Sequence, residues 1–337
     1  MRGSLRIAQC AVLAAGFAAF AVPQTSVGQR VDAHILDDGQ LHVILCGTGS
    51  PLADPARASA CTAVVGGGQF VLVDIGPSSW RKLDLTGLPL DRLTAILLTH
   101  FHSDHIGDLG EATTMSWAAG RPKALDVYGP EGVATVVEGF AKAYSLDVGY
   151  RATHHGETNM PRSTAGAVAH TVTLPSPDGI ATVFDRNGFK VQAFGVNHDP
   201  IKPAYGYRIE YGGRAVVISG DTVKSENLAR YAAGADILIH EALSKVLIAQ
   251  GAAALAAAGQ TRRSQMARDV LTYHSSPVDA AETAEAAKVD TLVLSHIIPQ
   301  LPNEATEQVF LKGVSDAFHG KVVLGKDGMR FDLPPKK

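Results

Sequence analysis

The chain has 337 residues, 46% hydrophobic and 19% charged, a balance that excludes an intrinsically disordered protein. Lys and Arg total 30 against 33 Asp and Glu, a net charge of −3, which is not the footprint of a protein built to coat nucleic acid. A chain of this length can bury one large layered core.

The first segment stands apart. Arg2 and Arg6 flank the start of an apolar, Ala-rich run from Ile7 to Val22, and small-residue patterns occur at Ala19-Phe20-Ala21 and Ser26-Val27-Gly28. These are the features of a secretory signal. Residues 1–28 are therefore expected to be removed, leaving a periplasmic or secreted protein. The run is short for a span of about 20 residues, and no later stretch is apolar enough, so no membrane association is expected after cleavage. Cys46 and Cys61 are the cysteines left in the mature chain. They suit either a cross-strand bridge or two buried thiols; the thiols are the expectation, because two cysteines make no disulfide scaffold.

Beyond the leader, short β-branched runs alternate with longer amphipathic stretches, the pattern of an α/β protein. Strands are expected at 41–45, 61–65, 69–73 and 95–98, a helix at 107–119, a strand at 125–128 and a helix at 131–144. Residues 147–179 contain Gly and His without a period and read as an inserted loop or lid. Strands follow at 189–196, 205–211, 214–218 and 236–239. An Ala-rich helical pair, 242–258 and 261–273, looks added to the core. A helix at 277–288, a strand at 291–294, a helix at 303–318 and strands at 321–324 and 329–331 complete the chain. Gly212-Gly213 and Asp327-Gly328 carry hairpin signals. No linker interrupts residues 29–337, which are expected to form a single domain.

Five apolar runs lead directly into a His or Asp: His100, His198, Asp221, His240 and His296. Residues at the carboxyl ends of neighbouring strands meet along one sheet edge, where α/β proteins place their sites. The first run opens into His100-Phe101-His102-Ser103-Asp104-His105. On extended chain His100, His102 and Asp104 share a face, and a turn into the following helix brings His105 beside Asp104. Three imidazoles and a carboxylate crowd a single tetrahedral ion but can serve two ions a few ångström apart.

The His-x-His-x-Asp-His motif after an apolar strand, with Gly47-Thr48-Gly49 upstream and Ser219-Gly220-Asp221-Thr222 downstream, resembles the metallo-β-lactamase superfamily. The supporting segments resemble its ribonuclease Z and arylsulfatase-like branch: Val196-Asn197-His198-Asp199-Pro200, His240-Glu241-Ala242, Tyr273-His274-Ser275-Ser276 and Leu294-Ser295-His296. The resemblance covers about residues 41 to 332 and implies a four-layer αββα sandwich with a two-metal site at one edge. It implies that His100, His102 and His198 hold one ion, that Asp104, His105 and His296 hold the second, and that Asp221 bridges them. It further implies that His274 assists the leaving group, oriented by Glu241, although a solvated carboxylate at a helix start is the rival reading for Glu241. Two Zn²⁺ ions are expected, with Mn²⁺ or Fe compatible with the donors.

The expected chemistry, on this resemblance, is metal-assisted hydrolysis. Ions sharing Asp221 would lower the pKa of a bridging water, Asp104 would orient it, and His274 would donate a proton to the departing oxygen. The substrate class is a phosphodiester, sulfate ester or similar small ester, with a lactone or β-lactam as the alternative on the same site. A non-catalytic metal-binding sensor or scaffold is the alternative of another class. Transfer RNA is not expected: only 22 residues separate His198 from Asp221, no Gly- and Lys-rich arm is present, and the leader would export the chain. A homodimer is compatible with the branch. His154 and His155 read as an exposed loop pair, with substrate contact the alternative, His240 as a residue near the metals or one hydrogen-bonding a ligand, and His34, His42, His170 and His319 as surface or packing residues. Trp80 and Trp117 read as core.

Overall fold

The computed structural model describes residues 32–336. The segment expected to be a secretory signal lies outside the described residues. Among the described residues, fourteen strands form two seven-stranded sheets. The first sheet contains β1 (Leu41–Gly47), β2 (Cys61–Gly66), β3 (Gln69–Val73), β4 (Ala95–Leu97), β5 (Leu125–Gly129) and β6 (Ala167–Thr171). The second contains β7 (Ile180–Arg186), β8 (Phe189–Gly195), β9 (Tyr205–Tyr211), β10 (Arg214–Ile218), β11 (Ile237–Leu243), β12 (Thr291–Ile298) and β13 (Lys321–Leu324). The last strand, β14 (Arg330–Leu333), returns to pair antiparallel with β1. The resulting orders are 14-1-2-3-4-5-6 and 13-12-11-10-9-8-7.

The two sheets share one directional pattern. In each, three consecutive pairings are antiparallel and the other three are parallel, β3 to β6 in one and β10 to β13 in the other. Parallel neighbours need crossover connections, and helices supply them. Around the first sheet lie α1 (Ser79–Asp84), α2 (Ser103–Ile106), α3 (Leu109–Ala118), α4 (Val133–His155) and α5 (Arg162–Ala165). Around the second lie α6 (Glu226–Tyr231), α7 (Lys245–Ala257), α8 (Thr261–Asp269), α9 (Pro277–Ala287), α10 (Glu304–Leu311) and α11 (Val314–Ala317).

Strand alternation sorts the apolar side chains into layers. Leu41, Val43 and Leu45 of β1 meet Val191, Tyr207 and Val216 of the second sheet in the central core. Ile44 of β1 faces the other way and packs with Trp80, Leu109 and Val133 of the flanking helices. Leu238 and Leu292 pack outward against Ala280, Ala284 and Phe310. Both sheets are thus covered on both faces, which is why their central strands read as unbroken apolar runs. This is the expected four-layer αββα arrangement.

Several local expectations are corrected. Residues 147–179 are not an irregular lid: α4 continues to His155, helped by an Arg151–Asp147 ion pair at 2.8 Å one turn apart, and β6 follows as the edge strand of the first sheet. The expected helix at 303–318 is broken at Gly313, whose φ of +85° is left-handed, into α10 and α11. Cys46 and Cys61 are joined in a disulfide rather than held as thiols. Cys46 is the extra residue of a β-bulge, because Leu45 pairs with Thr62 while Gly47 pairs with Cys61. The helical pair is present as α7 and α8, and α9 starts where Pro277 and a Ser276–Asp279 capping box predict a helix start. Trp80 and Trp117 are buried, as expected. No described helix is long and apolar enough to cross a membrane.

Candidate metal centre

The parallel strands of both sheets end at one edge of the sandwich, and there the titratable side chains converge. β4 leads into the loop that carries His100 and His102. The extended alternation stops at His102; Asp104 and His105 stand in the helical turn α2 instead. β8 leads to His198 and β10 to Asp221. Gly220 precedes Asp221 with φ +62°, and a Cβ there would come within 2.5 Å of the Tyr205 carbonyl, so the turn that presents Asp221 requires glycine.

His296 lies within β12, not beyond its end. Glu241 pairs with Ser295 and Ala242 with Ile297, leaving His296 as the bulged residue at φ +46°. A bulge re-aims one side chain without ending the strand, and this one turns His296 into the site. His240, by contrast, is buried on the helix-facing side of β11, its Nδ1 at 2.7 Å from the Glu241 carbonyl, and belongs to none of the candidate metal groups. Neighbouring strand residues point to opposite faces, so Glu241 and His240 cannot both line the site.

The donors form three overlapping groups. The ligand atoms of His100, His102, His198 and Asp221 lie within 4.8 Å of one another, as do those of Asp104, His105 and His296, and those of Asp221, His274 and His296. Asp221 Oδ2 is the meeting point: it is 3.4 Å from His105 Nε2, 3.5 Å from His296 Nε2, 3.8 Å from His198 Nε2 and 3.9 Å from His100 Nε2. Asp104 Oδ2 lies 3.1 Å from His296 Nε2.

This geometry suits cations. His100 Nε2 faces His102 Nδ1 at 2.9 Å and His105 Nε2 faces His296 Nε2 at 3.3 Å, while buried His198 Nε2 has no hydrogen-bond partner among the described residues. Lone pairs so packed are satisfied by shared divalent ions. Three of the imidazoles are also held by their second nitrogen. His105 Nδ1–H donates to Asp74 Oδ2 at 2.8 Å, His198 Nδ1–H donates to the Tyr273 carbonyl at 2.9 Å, and His100 Nδ1 is 3.1 Å from Thr99 Oγ1. Metal-binding histidines are characteristically oriented in this way.

Electrostatics agree. Burial pushes His100 well below the usual histidine range, so it stays a neutral donor. Burial alone would raise Asp221, but the imidazoles of His296 and His105 hold it well below the usual carboxylate range. Burial likewise opposes the charge on His105, yet Asp221 and Asp74 push it well above its ordinary value, a negative potential that would equally favour a metal cation in place of that proton.

Asp74 is the site residue that sequence reasoning missed. It follows the apolar strand β3, the same signal that marked His100 and Asp221. It is buried and accepts three hydrogen bonds of 2.8 Å, from the Thr99 amide, the Thr99 hydroxyl and His105. Two residues on, Gly76 lets this loop press against α2: a Cβ there would lie 2.0 Å from the Asp104 carbonyl oxygen.

Glu241 and His274 come together from positions 33 apart. His274 Nδ1–H donates to Glu241 Oε1 at 2.9 Å, and Glu241 Oε1 also accepts from the Thr222 amide at 2.9 Å. Glu241 is buried, so the solvated helix-start reading is set aside. Against the pull of burial, Glu241 and then Asp221 push His274 up to about 9. The remaining histidines lie elsewhere. His154 and His155 are exposed at the end of α4. His42 is buried between Asp38 and Asp332, and His170 pairs with Asp126.

Residues 54–296 match the family model described as the metallo-beta-lactamase superfamily. The ribonuclease Z of Mycobacterium bovis (strain BCG / Pasteur 1173P2) is 36% identical over 300 residues, which span 88% of this chain and 100% of that protein. Two solved structures share the fold. The short form of human tRNase Z superposes with a TM-score of 0.62 at 23% identity, covering 87% of this chain and 99% of that one. The metallo-beta-lactamase fold protein YhfI from Bacillus subtilis gives 0.61 at 20% identity, with the same coverage. The chain belongs to the metallo-β-lactamase superfamily. Within it, the chain falls in the ribonuclease Z branch and is a metal-dependent hydrolase.

Proposed function

We propose that the protein is a dinuclear phosphodiesterase in which His274, oriented by Glu241, protonates the departing oxygen of a phosphodiester. The observation that carries this reading is the buried His274–Glu241 pair beside Asp221. A protein that merely stored metal would have no use for an oriented proton donor there. The mycobacterial relatives named ribonuclease Z support a phosphodiester as the bond attacked.

In this reading His100, His102 and His198 would hold one ion and Asp104, His105 and His296 the other, with Asp221 available to both. When bound, such ions supply Lewis acidity and a water of lowered pKa. The chain's own residues position and protonate. Asp74 fixes the His105 ring, and the Tyr273 carbonyl fixes His198. Glu241 engages Nδ1 of His274, which leaves Nε2 to give its proton as charge builds on the leaving oxygen. Glu241 then stabilises the ring through the transfer.

A small diester rather than transfer RNA is the proposed substrate, supported by the net charge of −3 and by the tight β9–β10 hairpin that takes up most of the interval from His198 to Asp221. Export from the cytosol is part of the same proposal, supported by the Cys46–Cys61 disulfide, a bond that persists in oxidising compartments.

The test is hydrolysis of bis(p-nitrophenyl) phosphate by the metal-loaded protein. His274→Ala is expected to lose about 10²–10⁴-fold in turnover with its metal content unchanged. Asp221→Ala is expected to lose metal and turnover together. A metal-replete parent that leaves the diester intact overturns the proposal, and full activity in Asp221→Ala overturns the two-ion arrangement.

A further inference from the structure

We infer that the cleft between α3, α4 and α5 is a binding site for an uncharged apolar molecule about the size of a bicyclic aromatic, separate from the metal centre. The cleft encloses about 270 Å³. Its walls include Leu109 and Thr114 of α3, Phe140 and Val148 of α4, and Ala165 of α5. None of the metal donors lines it, nor do Glu241 and His274.

The sequence of α4 creates this space. Val137, Phe140, Ala141, Tyr144 and Val148 recur at helical spacing, so one apolar stripe runs along the helix. Its two ends are covered by different clusters. Val137 and Phe140 pack with Leu109 in the core of the first sheet and its helices, whereas Val148 packs with Trp117, Ala152, Met160 and Ala165. The cleft is lined from both clusters and filled by neither, and Ala141, between them on the stripe, is exposed. Walls without a partner forfeit dispersion contacts, which an apolar occupant restores. The walls are also held in place. A Cβ at Gly110 would lie 2.1 Å from Tyr144 Cε2, so the Tyr144 ring rests directly on the α3 backbone. Trp117 Nε1–H donates to the Pro161 carbonyl at 3.0 Å and fixes the start of α5. A site formed before its ligand arrives spares binding an ordering cost.

Size and charge define the ligand. A dry apolar cavity of about 150 Å³ takes one benzene, and this cleft has room for two fused rings. Arg162 is the cation at its wall, but it is already paired with Glu157, and its Nη2–H donates to Thr153 Oγ1 at 2.9 Å. It therefore opposes a cationic ligand without offering an anionic one a free partner. Burial first, and then Glu111, Asp108 and Asp147, push the Tyr144 hydroxyl above its ordinary value, so the surroundings also oppose a negative charge.

Calorimetric titration with 2-naphthol and 2-naphthoate, which share one ring system and differ in charge at neutral pH, tests this. The protein is expected to bind 2-naphthol with a Kd below about 1 mM, and 2-naphthoate about tenfold or more weakly. Stripping the metals with a chelator should leave the affinity for 2-naphthol within about twofold, because the two sites share no residue. Ala141→Trp, which fills the cleft from the exposed side of α4, is expected to abolish binding. Ala143→Trp, about 200° round the same helix, is expected to keep it. No saturation by 2-naphthol up to about 1 mM would overturn the inference, as would tighter binding of 2-naphthoate or equal losses in the two tryptophan variants. Binding that disappears with the metals would place the ligand at the metal centre and overturn it too. A parent dimer that Ala141→Trp splits into monomers, with no 2-naphthol bound, would show that a second copy of the chain covers the cleft instead.

Discussion

Replacing Asp74 by Asn isolates the support beneath the metal centre. Asp74 sits at φ +59°, a left-handed conformation that Asn adopts readily, so the substitution adds no backbone strain. It does change the hydrogen bonding. The carboxylate accepts from the Thr99 amide through one oxygen and from the Thr99 hydroxyl and His105 through the other, all at 2.8 Å. An amide keeps one acceptor and turns a donor toward groups that themselves donate. Bonds to a charged acceptor are worth about 1.5–3 kcal/mol each, so one bond lost and one donor left facing a donor costs roughly 3 kcal/mol. At about 2–4 °C per kcal/mol for a large domain, the metal-free protein should melt roughly 6–12 °C lower. The freed His105 ring should weaken metal binding about 10–100-fold. Thermal melting of the metal-free variant and competition with a chelator measure the two effects separately. A melting temperature within about 1 °C of the parent, together with unchanged chelator competition, would refute the role assigned to Asp74.

Two further outcomes concern stability. The Cys46–Cys61 bridge spans a sequence separation of 15, and a closed loop of that size is worth about 3 kcal/mol; denaturant unfolding with and without reductant should differ by about that amount, and coincident curves would show that the bridge does not act. Asp236 accepts from the Ala215 amide at 2.8 Å, Arg214 at 2.7 Å and Lys336 at 3.0 Å, tying the chain end to the second sheet. Burial alone would raise it, but these partners lower it below the usual carboxylate value. A carboxyl depressed in the folded state contributes stability above its unfolded pKa of about 3.9 and loses it as pH falls through the folded value. Asp236→Asn should therefore be less stable than the parent at neutral pH, with the gap closing as the pH drops below about 4. A gap independent of pH would contradict this.

The site was legible where its residues are contiguous or follow an apolar run. His100, His102, Asp104 and His105 lie within six positions, and His198 and Asp221 each end a strand segment. Asp74 carries the same signal after Val73, but its role as the acceptor for His105 depends on the contact between the loop after β3 and α2, which only the fold creates. His240 shows the converse. It too follows an apolar run, but its strand continues through Leu243 and parity places it on the far face. The 147–179 stretch looked irregular because Gly149, Gly156 and Gly166 interrupt its period, whereas packing against the first sheet holds α4 and β6 in regular form.

The sequence by itself determined the α/β class, most of the strands, and the presence of a histidine- and aspartate-rich centre at strand ends. Apolar periodicity and short-range motif spacing are local properties, and both are written in consecutive residues. The tertiary structure alone decided which distant segments pair. It set the bulge that turns His296 inward, the register that joins Cys46 to Cys61, the matched directions of the two sheets, and the meeting of Glu241 with His274. Those choices depend on hydrogen-bond register and packing between segments far apart in the chain, which no local pattern encodes.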